Sequence, residues 1–151
     1  MKSIFLLSIV CLFFVETKAQ FVATMEVKEP IEGVCNQRGV YALFPMLDGQ
    51  DEAVCPISMD EILNRLNTEI AFLKENPKHR DKGMIGLVIN CKSELVRCEM
   101  DIKTKNELLD KQIVFVFNSL GEWEAGKLNG NYVDSNRLFS FKIKKGKIEF
   151  D

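Results

Sequence analysis

The chain has 151 residues and a formal net charge of −2, with 20 Lys and Arg set against 22 Asp and Glu. That length fits one domain. The near balance of charge, with no basic stripe and no low-complexity tract, leaves no electrostatic case for nucleic acid.

The N-terminus reads as an export signal. Met1-Lys2 supplies a short basic start, Ile4 to Val15 is an apolar run, and Ala19 is a small residue at the expected cleavage position. That order describes a secretory signal peptide over residues 1–19. The run is shorter than the ~20 apolar residues a bilayer span takes, so no membrane span is expected after cleavage. Cys11 makes a poor lipoprotein site, because Val10 stands where a small residue is needed. Removal of residues 1–19 takes away Lys2, Lys18 and Glu16 and leaves a net charge of −3.

Four cysteines then stay in the chain: Cys35, Cys55, Cys91 and Cys98. An even number in an exported chain predicts disulfides. Three pairings are open. Hairpin spacing favours Cys91–Cys98 and, by elimination, Cys35–Cys55, against the alternative of two small buried thiols at Cys91 and Cys98.

Residues 20–57 form an N-terminal extension with a cysteine-bearing loop. Phe21 to Val27 alternates loosely like a strand and ends at Pro30 and Gly33. Val40 to Phe44 is a short apolar run, and Leu47 to Glu52 reads as a loop with an Asp48-Gly49 turn. From Ser58 the pattern sharpens. Ser58 with Glu61 makes a capping box, and Met59, Ile62, Leu63, Leu66, Ile70 and Leu73 share one helix face until Asn76-Pro77. His79 lies in a charged connector and is expected to be solvent-exposed. Ile85 to Cys91 and Leu95 to Met100 read as a hairpin. Thr104 with Glu107 starts a second helix over Leu108 to Leu120, with Gly121 at its end. Its Ile113 to Phe117 segment is rich in strand formers, and the flanking caps decide for helix. Trp123 follows, with turns expected at Ala125-Gly126 and Asn129-Gly130. Tyr132 to Ile143 is a long strand, and Lys142, Lys144, Lys145 and Lys147 read as lysines that protect its edge.

Trp123, Ala125, Gly126, Asn129, Gly130 and Val133 fill a Trp-x-Pro/Ala-Gly-x-x-Asn-Gly-x-x-Val pattern. In this the chain resembles the C-terminal domain of TonB, the periplasmic protein that couples the inner membrane to outer-membrane transporters. Gly83-Met84-Ile85-Gly86 resembles that family's Gly-x-x-Gly before its first core strand, and the likeness runs from about Asp60 to Ile143. The elements and the resemblance together predict an α+β fold over residues 58–151. Two helices would pack on one face of a three-stranded antiparallel sheet, preceded by the N-terminal extension.

The resemblance implies an exported periplasmic interaction module. Its partner would be a protein or peptide, such as an outer-membrane transporter segment, added to the edge of the sheet. That places the binding edge along Tyr132, Asp134, Asn136, Leu138 and Ser140. The chain shows no Pro-rich spacer, so energy transduction on its own is not expected. The alternative is a secreted, disulfide-stapled structural or inhibitory domain with no peptide-binding edge. No catalytic residue, cofactor or metal site is expected: His79 has no nucleophile partner, and Asp48, Asp51 and Glu52 lack calcium-loop spacing.

Overall fold

In a computed structural model, residues 21–25, 27 and 29–151 are described, so the signal peptide expected over residues 1–19 lies outside them. The strands are β1 Ala23–Met25, β2 Val40–Ala42, β3 Gln50–Asp51, β4 Asp81–Ile89, β5 Leu95–Ile102, β6 Lys127–Leu128, β7 Asn131–Tyr132, β8 Ser135–Lys144 and β9 Lys147–Phe150. The helices are α1 Met59–Glu69, α2 Ala71–Glu75 and α3 Glu107–Asn118.

The expected two helices on a three-stranded antiparallel sheet are corrected by this arrangement. The protein is α+β, but its main sheet is six-stranded and mixed, in the order β1-β2-β8-β4-β5, with β9 also paired to β8. A second, three-stranded sheet runs β3-β6-β7. The N-terminal region is not an appendage: β2 pairs parallel to β8 through Tyr41↔Ser135 and Ala42↔Asn136, and β1 pairs antiparallel to β2. β1 lies within the strand-like Phe21 to Val27 segment, whereas β2 is too short for period-2 alternation to reveal it, and its pairing with β8 spans most of the chain.

The long hairpin β4–β5 and strand β8 position everything else. Alternation puts Ile85, Leu87 and Ile89 of β4 and Phe139, Phe141 and Ile143 of β8 on one face, where all are buried. Helices α1 and α3 lay Ile62, Leu66, Leu109, Ile113, Val116 and Phe117 against them in a single core. Each such side chain contributes ~1.5–3 kcal/mol by leaving water. Ser58 caps α1 by accepting from the Glu61 amide at 3.2 Å. The expected single helix to Leu73 breaks at Ile70, whose ψ of 104° is extended. The Gln112 side chain on α3 accepts from the Phe72 amide at 3.0 Å and so caps the restart. Asn106, rather than Thr104, caps α3, accepting from the Leu109 amide at 3.0 Å. Ile113 to Phe117 is helical despite its composition, because helical spacing buries Ile113, Val116 and Phe117 together in the core while Phe115 faces out, 71% exposed.

The expected strand from Tyr132 to Ile143 is split. Asn129 (φ 52°) and Gly130 (φ 78°) form the tight turn of the β6–β7 hairpin, then Val133-Asp134 leads into β8. Ala125-Gly126 is not a turn but leads directly into β6. The lysine-rich tail also pairs: Lys145 (φ 52°) and Gly146 (φ 70°) turn β8 back into β9. The outer side of β9 is then closed by Asn67 on α1, whose side chain accepts from the Ile148 amide at 2.8 Å and donates to the Ile148 carbonyl at 3.0 Å.

Candidate functional site

The residues expected to line a peptide-binding edge do not form one continuous surface. Tyr132 belongs to β7, with the Lys127 Nζ 4.8 Å from its ring centre. Asp134 is buried outside any strand. Asn136 is already paired with Ala42 of β2. Ser140 accepts from the Asp151 amide at 3.1 Å, just where β9 takes over the outer side of β8. Between β2 and β9 only Arg137 to Ser140 have no strand partner on that side, and the Asp151 amide donates to the Ser140 carbonyl, which leaves Arg137 to Phe139, with Leu138 49% exposed. Three residues span ~10 Å, too little for an added strand, and Arg137 is held there by an ion pair with Glu52.

Asp134 instead organises a corner. Its Oδ1 accepts from the Cys35 amide at 3.0 Å and the Cys91 amide at 2.9 Å, and its Oδ2 from the Asn36 amide at 2.7 Å. Three amides satisfy a buried carboxylate and hold two cysteine-bearing loops together. Cys35 and Cys91 are disulfide-bonded there, with Cα atoms 6.0 Å apart, while Cys55 and Cys98 are free thiols. This corrects both expected pairs. Cys98 stands opposite Leu87, and Cys91 lies four residues further on, roughly 13 Å away along an extended chain. The same corner is the one place among the described residues where cysteine and carboxylate groups cluster as metal ligands would. The disulfide and the amide contacts already occupy those atoms.

Of the motif residues, Trp123 is buried in the core, 4% exposed, edge-on to Phe139 with ring centres 6.5 Å apart. A Cβ on Gly126 would sit 2.5 Å from Leu43 Cδ1 and 2.7 Å from Ser135 Oγ, so the chain passes there only without a side chain. The Val133 amide donates to the Gly126 carbonyl at 3.0 Å and closes the β6–β7 hairpin. In β4, a Cβ on Gly83 would meet the Phe141 ring at 2.6 Å, and Gly86 lies opposite Glu99. These positions serve packing. His79 is half-buried rather than exposed, with its ring edge-on to Phe72 and its Nε2 3.4 Å from Asp81 Oδ2.

The open edge of the molecule is elsewhere. β5 ends the main sheet, and no strand pairs with its outer side among the described residues. Its eight residues span ~27 Å. A groove of about 830 Å³ runs between β5 and α3, lined by Cys98, Met100, Lys103, Lys105, Lys111 and Val114 among others. The floor is apolar; burial pushes the Cys98 thiol up to about 12, and its Sγ lies 3.8 Å from the Val114 carbonyl. The far end is fixed by two carboxylates. Asp110 Oδ1 accepts from the Thr104 hydroxyl at 2.6 Å and its amide at 3.0 Å, and Asp81 Oδ2 accepts from the Lys105 amide at 2.9 Å. Burial would raise the Asp81 carboxyl, but the Lys105 and Lys82 amides, with the charges of His79 and Lys105, hold it below the usual range.

Sequence reading marked this hairpin as core and passed over its outer side, because pattern shows which face of a strand is apolar but not which neighbour it lacks. Against known families, curated proteins and solved structures the chain shows no match.

Proposed function

We propose that the chain is an exported interaction module that binds an extended peptide or envelope-protein segment by strand addition along the outer side of β5. The observation that carries this reading is the unpaired outer side of β5 beside the α3 groove. Backbone N–H and C=O groups supply affinity in such a site, and alternate side chains enter the groove. Bonded Cys35–Cys91 supports export, since disulfides persist in oxidising compartments. The Trp123-to-Val133 pattern supports kinship in binding mode with the TonB C-terminal domain, without energy transduction. The expected edge on β8 is not part of the proposal, because β2 and β9 occupy it.

Proline tests it. Only one of the two alternating N–H sets of β5 points outward, so Glu99→Pro and Met100→Pro are both made. Dodecamer peptides are selected by display on the full parent chain, and circular dichroism identifies which variant still folds. The folded variant should lose at least ~10-fold in affinity, because proline removes a ladder donor. Retention of every selected peptide by a folded variant with its outward donor removed would sink the reading. A second reading is favoured by β2, which brings the N-terminal region into the main sheet beside β8: a secreted, disulfide-stapled structural or inhibitory domain. It predicts that no extended peptide is selected at all.

A further inference from the structure

The chain is acidic overall, yet one groove gathers six cations. Arg80, Lys82, Lys103, Lys105, Lys142 and Lys144 surround a depression of about 490 Å³ with half-exposed Ile102 at its centre. Lys142 and Lys144 are neutralised within the chain, by Asp151 and by Glu149. Arg80, Lys82, Lys103 and Lys105 form no ion pair among the described residues. The one carboxylate in the groove, Asp81, takes the Lys82 and Lys105 amides and lies 3.4 Å from the half-buried His79, so a single negative charge faces four cations that form no ion pair.

This depression is continuous with the groove along β5. Lys103 and Lys105 line both, and Ile102 is the last residue of β5. A chain paired with β5 therefore runs off its end directly among four unpaired cations. We infer that the peptide bound at β5 carries a cluster of Asp or Glu side chains next to its pairing segment, and that Arg80, Lys82, Lys103 and Lys105 select for it. The cluster precedes the pairing segment if the peptide runs antiparallel to β5 and follows it if parallel. Charge of this kind discriminates between partners and speeds encounter more than it adds raw affinity. The inference rests on strand addition at β5.

The test uses dodecamer display on the full chain, the parent against a Lys103→Glu/Lys105→Glu variant whose fold is checked by circular dichroism. Parent selections should show an alternating segment flanked on one side by at least three acidic residues. Selections on the charge-reversed variant should keep the alternating segment and lose the acid bias. A selected acidic peptide should bind that variant ~10-fold or more weakly, and raising salt from about 0.05 to about 0.5 M should erase most of the difference. Alternating segments with no acid bias, or with a bias unchanged in the variant, overturn the inference and leave strand addition standing. Acidic sequences without an extended segment overturn both. Vesicles of phosphatidylglycerol form a third arm, beside phosphatidylcholine controls. Capture by the anionic vesicles through these lysines, with no acidic peptide selected, assigns the groove to a membrane surface and overturns the peptide.

Discussion

On the helix-covered face of the main sheet, Ile85, Leu87 and Ile89 meet three helices, Trp123 and the β9 residue Ile148 in one continuous core. On the opposite face, Val88 meets Ile31 and Val40, with Met25, Val34 and Val96 partly buried around them. The first face is held chiefly by apolar area. The second has too little of it, and there the chain adds a disulfide and a buried carboxylate with three amide contacts. The contrast shows two ways of closing one sheet: by volume where helices are available, and by covalent and polar fastening where only loops are.

The largest expected effect is on the helix-covered face. Trp123→Ala should cost ~3–5 kcal/mol in denaturant melts, as loss of a buried aromatic does. A loss under ~1 kcal/mol would mean that Trp123 does not hold this core. Next comes the fastened face. Cys35 and Cys91 are 56 residues apart, and a Cys35→Ala/Cys91→Ala variant should lose ~2–4 kcal/mol. Its hydrogen exchange should rise over residues 31–43 while residues 85–89 and 109–117 stay protected. Equal loosening on both sides would erase the contrast. The smallest effect lies at the end of the sheet, where Asp81 ties β4 to the linker after β5. Its folded pKa is depressed, so its contribution is present above the unfolded carboxylate value, about 4, and lost as pH falls through the folded value. Asp81→Asn should be less stable than the parent at neutral pH, and the melts should begin to converge below about pH 4 and meet below the folded value. A gap that persists at low pH would show that charge is not the cause.

The helix-covered face was the readable one. The Ser58 cap, the three- and four-residue spacing from Met59 and the alternation in Ile85 to Ile89 and Phe139 to Ile143 each encode a period that local chemistry enforces. The other face was not readable for the same reason. Val40–Ala42 is three residues long and finds its partner at Ser135, so no local period marks it. The cysteine pairing failed similarly: spacing favoured the neighbour Cys98, whereas Asp134, far along the chain, gathers Cys35 and Cys91. The open strand edge was misread because an edge is defined by what is missing beside it. The lysines around Gly146 looked like protection for an exposed β8, yet they turn the chain into β9, which covers that strand.

The pairing of Asn67 with Ile148 has a consequence for assembly. A sheet grows by copies of itself only through open sides long enough to pair. With β9 capped by a side chain and β1 only three residues long, β5 is the single long open side among the described residues. Molecules that meet through one side apiece close as a two-fold pair and leave nothing to extend. The same side-chain amide that finishes a helix-to-strand contact thus removes one of the sides through which the sheet could extend.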